Sequence, residues 1–181
     1  ALVDFSGPEA VRQYGEELRR RRLMLVTAIS AYSDADLAYI QSLGEDARVM
    51  SCPNITLGIN FLILAARLLR EIAPHADIAI LEEHFRDKPE VSGTARKIAE
   101  SLELDDANIT SLRLGGIVGH HEVVFGFPYQ TVRLSHDSIR REAFGTGAAF
   151  ALRELAARTE PGYFSFEDLL MQRLRTQWLR A

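Results

Sequence analysis

The sequence predicts an α/β chain in two lobes: an open parallel sheet flanked by helices, and an α+β lobe built on a mixed sheet around one long helix. Three observations predict it. Residues 1–53 alternate strand-like and helix-like runs, the pattern of a parallel sheet with crossover helices. After the apolar stretch "ITLGINFLILAARLL", short strand-like runs crowd together between residues 77 and 137. Helical spacing then returns in "REAFGTGAAFALREL".

The elements follow in order. "ALVDFS" reads as a short buried strand, already under way at Ala1, so the chain is expected to begin inside a fold. "GPEAVRQYGEELRRRR" reads as a helix, with Pro8 near its first turn and Val11, Tyr14 and Leu18 at helical spacing. Arg19 to Arg22 close it, either as a phosphate site or as cations at the negative end of the helix dipole. "LMLVTAI" is a second strand, "SDADLAYIQSLG" a helix capped by Ser33, and "ARVMSCP" a third strand ending at Pro53. Residues 57–73 form a long helix, apolar on nearly every face of its first turns and so read as buried. "DIAILEE" is a strand and "SGTARKIAESLEL" a helix. "ITSLRLGG", "HHEVVFGF" and "QTVRLSH" are strands with the spacing of an antiparallel meander. "YFSFEDLLMQRL" supplies a final helix capped by Ser165. The expected lobes are residues 1–53 with 138–181, and residues 54–137.

Composition narrows the functional classes. The 181 residues are 47% hydrophobic and 25% charged, with a formal net charge of −4, so no global basic field points to nucleic acid. The 55–69 stretch is too short to span a bilayer and contains Arg67. Cys52 is the single cysteine, which excludes a disulfide framework and fits a reducing cytoplasm. As a nucleophile Cys52 is disfavoured by its place in an apolar strand.

The chemistry-bearing stretch is "ILEEHFRDKPEVSGTA", residues 80–95. His84 ends a strand, Lys88 follows four residues on, and Ser92-Gly93-Thr94 opens a helix. A helix start presents N–H groups outside the helix ladder and a partial positive charge, and a small Ser-Gly-Thr turn lets an anion approach them. With Lys88 as a cation and His84 able to deliver a proton near neutral pH, the set suits a small carboxylate substrate that must be protonated. The plain alternative is a common helix-start sequence beside surface charges. His120-His121-Glu122 with His84 and Glu82 could suggest metal ligands, but neighbours on a strand point to opposite faces, so no metal is expected.

At these residues the chain resembles the dihydrodipicolinate reductase (4-hydroxy-tetrahydrodipicolinate reductase) family over nearly its whole length. "LVDFSGPEAV" is similar to the family's "hDFTxPxAV", "SCPNITLGINFL" to "xAPNFSxGVNxL", and "EEHFRDKPEVSGTA" to "ExHHxxKxDxPSGTA". "RLGGIVGHHEVVF", "HDSIRREAFGTGA" and "PGYFSFEDLL" are similar to further family stretches, in the family's order. The resemblance implies a partial Rossmann-like nucleotide-binding lobe and a substrate-binding, tetramerisation lobe with a mixed four-stranded sheet. It implies NADH- or NADPH-dependent reduction of a cyclic imine or enamine dicarboxylate in lysine and diaminopimelate biosynthesis, by a cytoplasmic homotetramer. His84 and Lys88 fall on the catalytic pair, and Phe85, Ser92, Gly93 and Thr94 on substrate-binding positions. Thr27, Ala28, Ile29, Cys52, Pro53, Asn54 and Ile55 fall on the cofactor-binding segments.

The departures are specific. Phe85 stands where the family has a second histidine, and the loop before Ser92 is one residue short. Thr27-Ala28-Ile29-Ser30 replaces a "GTTG" loop, and the sequence contains no glycine-rich dinucleotide fingerprint. Two alternatives therefore stand beside the main reading: a paralogue reducing another cyclic imine acid, and a non-catalytic binding descendant.

Overall fold

The computed structural model describes residues 1–178. The chain divides into two compact units, Ala1–Leu57 with the segment from Phe144 onward, and Gly58–Ala143.

The first unit is built on a parallel sheet. Strands β1 (Leu2–Asp4), β2 (Met24–Thr27) and β3 (Arg48–Ser51) alternate with helices α1 (Ala10–Arg20) and α2 (Asp34–Leu43). The sheet order is β1-β2-β3-β8, every pairing parallel. Val11 and Leu18 of α1, Ile40 and Leu43 of α2, and Leu25 and Val49 of the sheet share one apolar cluster. Arg48, on the opposite face of its strand from Val49, donates to the Leu155 and Arg158 carbonyls at the end of α5 (Glu142–Ala156), a cation at a helix C-terminus. Ser33 caps α2 through a full capping box with Asp36, and Ser165 makes the same exchange with Asp168 at the start of α6 (Phe166–Trp178).

Two details differ from the sequence reading. Strand β8 (Gly162–Phe164) joins β3 at the sheet edge. Its 3 residues are too few to show a period, and they lie directly before the helix cap. Helix α1 begins at Ala10, beyond the Pro8 turn, and Glu9 caps it without a side-chain bond. The arginines at its end serve the protein itself: Arg20 and Arg21 pair with Glu17, and Arg19 donates to the Ser42 carbonyl and hydroxyl.

The second unit carries the mixed sheet, in the order β5-β4-β6-β7: β4 (Asp77–His84), β5 (Ile109–Arg113), β6 (His120–Phe127) and β7 (Gln130–Asp137). The expected meander is not formed. β5 pairs with β4, in parallel, while β6 and β7 form the antiparallel hairpin. The reason is the intervening helix α4 (Gly93–Ser101), which makes β4-α4-β5 a crossover unit and returns the chain in the direction of β4.

Helix α3 (Leu57–Ile72) sends Ile59, Leu62, Ile63 and Ala66, one stripe at helical spacing, into the core. The all-round burial expected for it is not found: Phe61, Leu68 and Ile72 are exposed, because they lie off the stripe that meets the sheet. Ala95, Ile98 and Leu102 on and beside α4 complete that core against Ile78 and Ile80 of β4 and Val123 and Phe125 of β6.

Candidate active site

The inner face of the mixed sheet changes character along its length. Every second residue of β4 points inward, in the order Ile78, Ile80, Glu82, His84. The pairing register sets Ile80 beside Ile109 and Val123, and Val123 beside Leu134. One step on, it sets Glu82 beside Ser111 and His121, and His121 beside His136. The next step pairs His84 with Arg113. An apolar core therefore passes, on the same four strands, into a polar cluster at the end where β4 delivers His84.

Glu82 is the centre of that cluster and is fully buried, at 0% exposure. Its Oε1 accepts from Arg113 Nη2 at 2.8 Å, Ser111 Oγ at 2.6 Å and the Ser92 N–H at 3.3 Å. Its Oε2 accepts from Arg113 Nη1 at 3.0 Å and lies 2.5 Å from His84 Nδ1. Burial by itself would raise this carboxyl, but the Arg113 fork, then Ser111, His84 and the Ser92 N–H, reverse the effect and hold it at about 2. Arg113 also donates to the Lys88 and Glu90 carbonyls, so one guanidinium ties the sheet to the loop that carries Lys88.

His84 is buried, with its ring edge-on to His121 at 5.3 Å between centroids. A Cβ on Gly119 would sit 3.1 Å from His84 Nε2, so the glycine keeps that nitrogen clear. Burial, and then the nearby His84, push the His121 imidazole down to about 3, and it is a neutral ring at ordinary pH. Its Nε2 lies 2.9 Å from Ser92 Oγ. His120 points the other way and pairs with Asp137 at 2.8 Å, so the two histidines face opposite sides of the strand. Among the described residues no group of three or more His, Cys, Asp and Glu is placed to hold a metal ion.

Ser92 is the N-cap residue of α4, yet its side chain makes no cap bond, because the hydroxyl is engaged with His121. Arg96 N donates to Ser92 O at the first turn of the helix. A Cβ built on Gly93 meets nothing within 4 Å, so space is open at this helix start. Phe85 is exposed, Lys88 half-buried, and Lys88 N turns back onto the Phe85 carbonyl.

The other expected segments lie in the first unit, at the C-terminal ends of β2 and β3. Ala28 N bonds to Asp4 O and Cys52 N to Thr27 O, extending the sheet's pattern beyond its strands. Thr27, Ile29, Cys52 and Ile55 are buried, while Ala28, Pro53 and Asn54 reach the surface. Thr27 Oγ1 is occupied with the Tyr32 hydroxyl at 2.8 Å. Below it Asp4 accepts from Ser6 and Tyr14. α5 packs against Ile55 so closely that a Cβ on Gly147 would fall 1.8 Å from the Ile55 carbonyl oxygen.

The sequence reading singled out His84, Lys88 and Ser92 to Thr94, which the structure brings to one end of the sheet and its crossover. It did not single out Arg113, Ser111 or Gly119, and it weighed Glu82 and His121 only as metal ligands. The alternation of β4 already put Glu82 on the side of His84; the parallel pairing that delivers Ser111 and Arg113 leaves no such signal.

The first unit is thus a parallel α/β layer, and the second a mixed sheet bearing a buried carboxylate–histidine pair at a helix start. The family model described as dihydrodipicolinate reductase, C-terminus, matches residues 55–170. The 4-hydroxy-tetrahydrodipicolinate reductase of Laribacter hongkongensis is 32% identical, covering 94% of this chain and 72% of its own. That of Caldanaerobacter subterraneus subsp. tengcongensis is 29% identical, covering 93% and 76%. The solved structure of dipicolinate-bound dihydrodipicolinate reductase from Paenisporosarcina sp. TG-14 has the same fold, with a TM-score of 0.77 at 23% identity over 90% of this chain and 70% of that one. The chain belongs to the dihydrodipicolinate reductase family.

Proposed function

We propose that this protein reduces 4-hydroxy-tetrahydrodipicolinate to tetrahydrodipicolinate in lysine and diaminopimelate biosynthesis, with NADH or NADPH as the reductant. The observation that carries the reading is His84, held against an ionised Glu82 at the end of the sheet where α4 begins. Supporting it, the curated relatives that bear this activity's name match over 93–94% of the chain.

The cofactor segments fit a dinucleotide at the surface positions Ala28, Pro53 and Asn54, with Thr27, Ile29, Cys52 and Ile55 forming the floor beneath them. When bound, the nicotinamide would supply a hydride to one carbon of the double bond formed as the substrate's 4-hydroxyl leaves as water. The chain's own residues do the rest. Gly93 and Thr94, at the open start of α4, receive a substrate carboxylate through backbone N–H groups and the helix dipole. Ser92 supports that turn from below through Glu82 and His121. Lys88 adds positive charge, and His84 delivers the proton that balances the arriving hydride.

Residues 1–53 with 138–181 form the nucleotide-binding lobe in this reading, and residues 54–137 the substrate-binding and tetramerisation lobe. The mixed sheet's exposed Leu112, together with the exposed Leu114 and Val118 beyond β5, supports a homotetramer assembled through this lobe. Sedimentation of the protein as a monomer would refute that part.

Phe85 favours a second reading. A phenyl ring can make none of the hydrogen bonds of the family's second histidine, and it stands exposed next to His84. It suits a related cyclic imine acid with less polar surface. The test is oxidation of NADH and NADPH with freshly generated dihydrodipicolinate and with other cyclic imine acids. Turnover of dihydrodipicolinate that is lost in H84A and K88M supports the main reading; turnover of another imine acid alone replaces it with the second.

A further inference from the structure

We infer that Glu82 is the positioning residue for His84: kept anionic by Arg113, it fixes the imidazole as the Nδ1–H tautomer and leaves Nε2 as the nitrogen that exchanges the proton.

The argument begins with donors and acceptors. An ionised carboxylate only accepts hydrogen bonds. Glu82 is ionised, and its Oε2 lies 2.5 Å from His84 Nδ1, so Nδ1 must carry a hydrogen in this contact. The neutral ring then has its lone pair on Nε2, and the cation has its transferable proton there. Gly119 keeps that side of the ring clear.

Arg113 supplies the second half of the device. A buried carboxyl without a cation takes up a proton and becomes a donor as well as an acceptor, and it would then tolerate either tautomer of its neighbour. The Arg113 fork reaches both oxygens, at 2.8 and 3.0 Å, and prevents this. The strand register makes the arrangement possible. Arg113 is the cross-strand partner of His84 and reaches back one step to Glu82, whose own partner Ser111 fills a further acceptor site. Glu82 is thus oriented from several sides before it orients His84.

The catalytic consequence rests on the proposed role of His84 as the acid, so the experiment separates the two. Histidine-selective 15N NMR at alkaline pH, where imidazoles are neutral, reads the tautomer directly. The wild-type protein is expected to show His84 with a protonated Nδ1 and a bare Nε2. In Glu82→Gln the amide oxygen should take the side facing Ser111, Arg113 Nη2 and the Ser92 N–H, and turn the NH2 toward His84 Nδ1. The ring should then switch to the Nε2–H form. Turnover of dihydrodipicolinate should fall by about 10²–10⁴-fold in kcat with KM little changed, the range of a lost general acid, and Glu82→Asp should restore part of it. A wild-type His84 protonated on Nε2, or an unchanged tautomer in Glu82→Gln, overturns the inference. A switched tautomer with undiminished turnover upholds the clamp and refutes His84 as the acid. If Glu82→Gln fails to fold, the wild-type spectrum still decides.

Discussion

Replacing Arg113 with Met removes the one cation bonded to Glu82 and leaves a fully buried carboxylate with only neutral donors or His84 for partners. Breaking a buried pair from one side costs about 3–5 kcal/mol. The carboxyl itself gives a second measure. Held at about 2 against an ordinary value of 4.5, it contributes roughly 3 kcal/mol at neutral pH. That is an upper limit, since the Arg113 side chain is 21% exposed and water screens its side of the pair. Because the folded value lies below the unfolded one, this stability is present above about pH 4.5 and is lost as pH falls toward 2. In Arg113→Met the sign reverses. Burial then dominates, the folded value rises above the unfolded one, and the variant's deficit shrinks as acid protonates Glu82. Native-state hydrogen exchange of β4 and β5 amides in urea, at pH 7 and near pH 4.5, reads the second unit's stability without interference from the first. Arg113→Met should lose about 3 kcal/mol at pH 7 and distinctly less at the lower pH. The double variant with Glu82→Gln should recover part of the loss, because no buried charge remains. A deficit below 1 kcal/mol, or one equal at both pH values, refutes the reasoning.

Gly147→Ala places a Cβ 1.8 Å from the Ile55 oxygen and 2.8 Å from its carbon, backbone atoms that cannot rotate aside. Although helix propensity alone would favour Ala by about 1 kcal/mol, the variant should lose about 3 kcal/mol in thermal unfolding; a stabilised variant would show that α5 does not pack as described. Gly119→Ala crowds His84 Nε2 at 3.1 Å and should lower kcat about 10–100-fold with stability changed by less than about 1 kcal/mol; full activity would free Nε2 from its assigned role. Ser33→Ala removes the capping-box bond to Asp36 N and should cost about 1 kcal/mol in urea unfolding.

The parallel lobe was legible because its signals are local. Ser33 followed by Asp36 announces a cap, and Met24–Thr27 and Arg48–Ser51 are apolar runs between helical periods. The mixed sheet was legible as a set of strands but not as an order of strands. An antiparallel meander would seat β5 next to β6 and carry Arg113 one strand away from Glu82. The observed β4–β5 pairing depends on the crossover by α4, whose packing through Ala95, Ile98 and Ala99 is a property of the assembled core and not of any one segment. That is why His84, Lys88 and Ser92 stood out as a motif while Ser111 and Arg113, some thirty positions from Glu82, did not. The exposure of Phe61 and Ile72 has the same origin: an apolar run tells that a helix packs, but the stripe that meets the sheet decides which of its residues are covered.

The structure also bears on the proposed anion site within its motif. Ser92 looked like the first donor of the cradle, but its N–H is given to Glu82 and its hydroxyl lies 2.9 Å from His121 Nε2, so both are engaged within the protein. At Gly93 no side chain blocks approach to the start of the helix. This arrangement poses an electrostatic problem, because a carboxylate bound at the start of α4 lies next to a motif already anchored by the carboxylate of Glu82. Two like charges in a dry site would repel, and one would take up a proton. Arg113 resolves it by matching Glu82 charge for charge through both nitrogens of its fork, so that an arriving anion meets a neutral pair, the helix dipole and Lys88. The same guanidinium binds the Lys88 and Glu90 carbonyls, so the loop carrying the lysine is fixed by the group that cancels the charge below it. Acid–base orientation, charge balance and loop position thus converge on Arg113, a residue that touches none of the reacting atoms in this account.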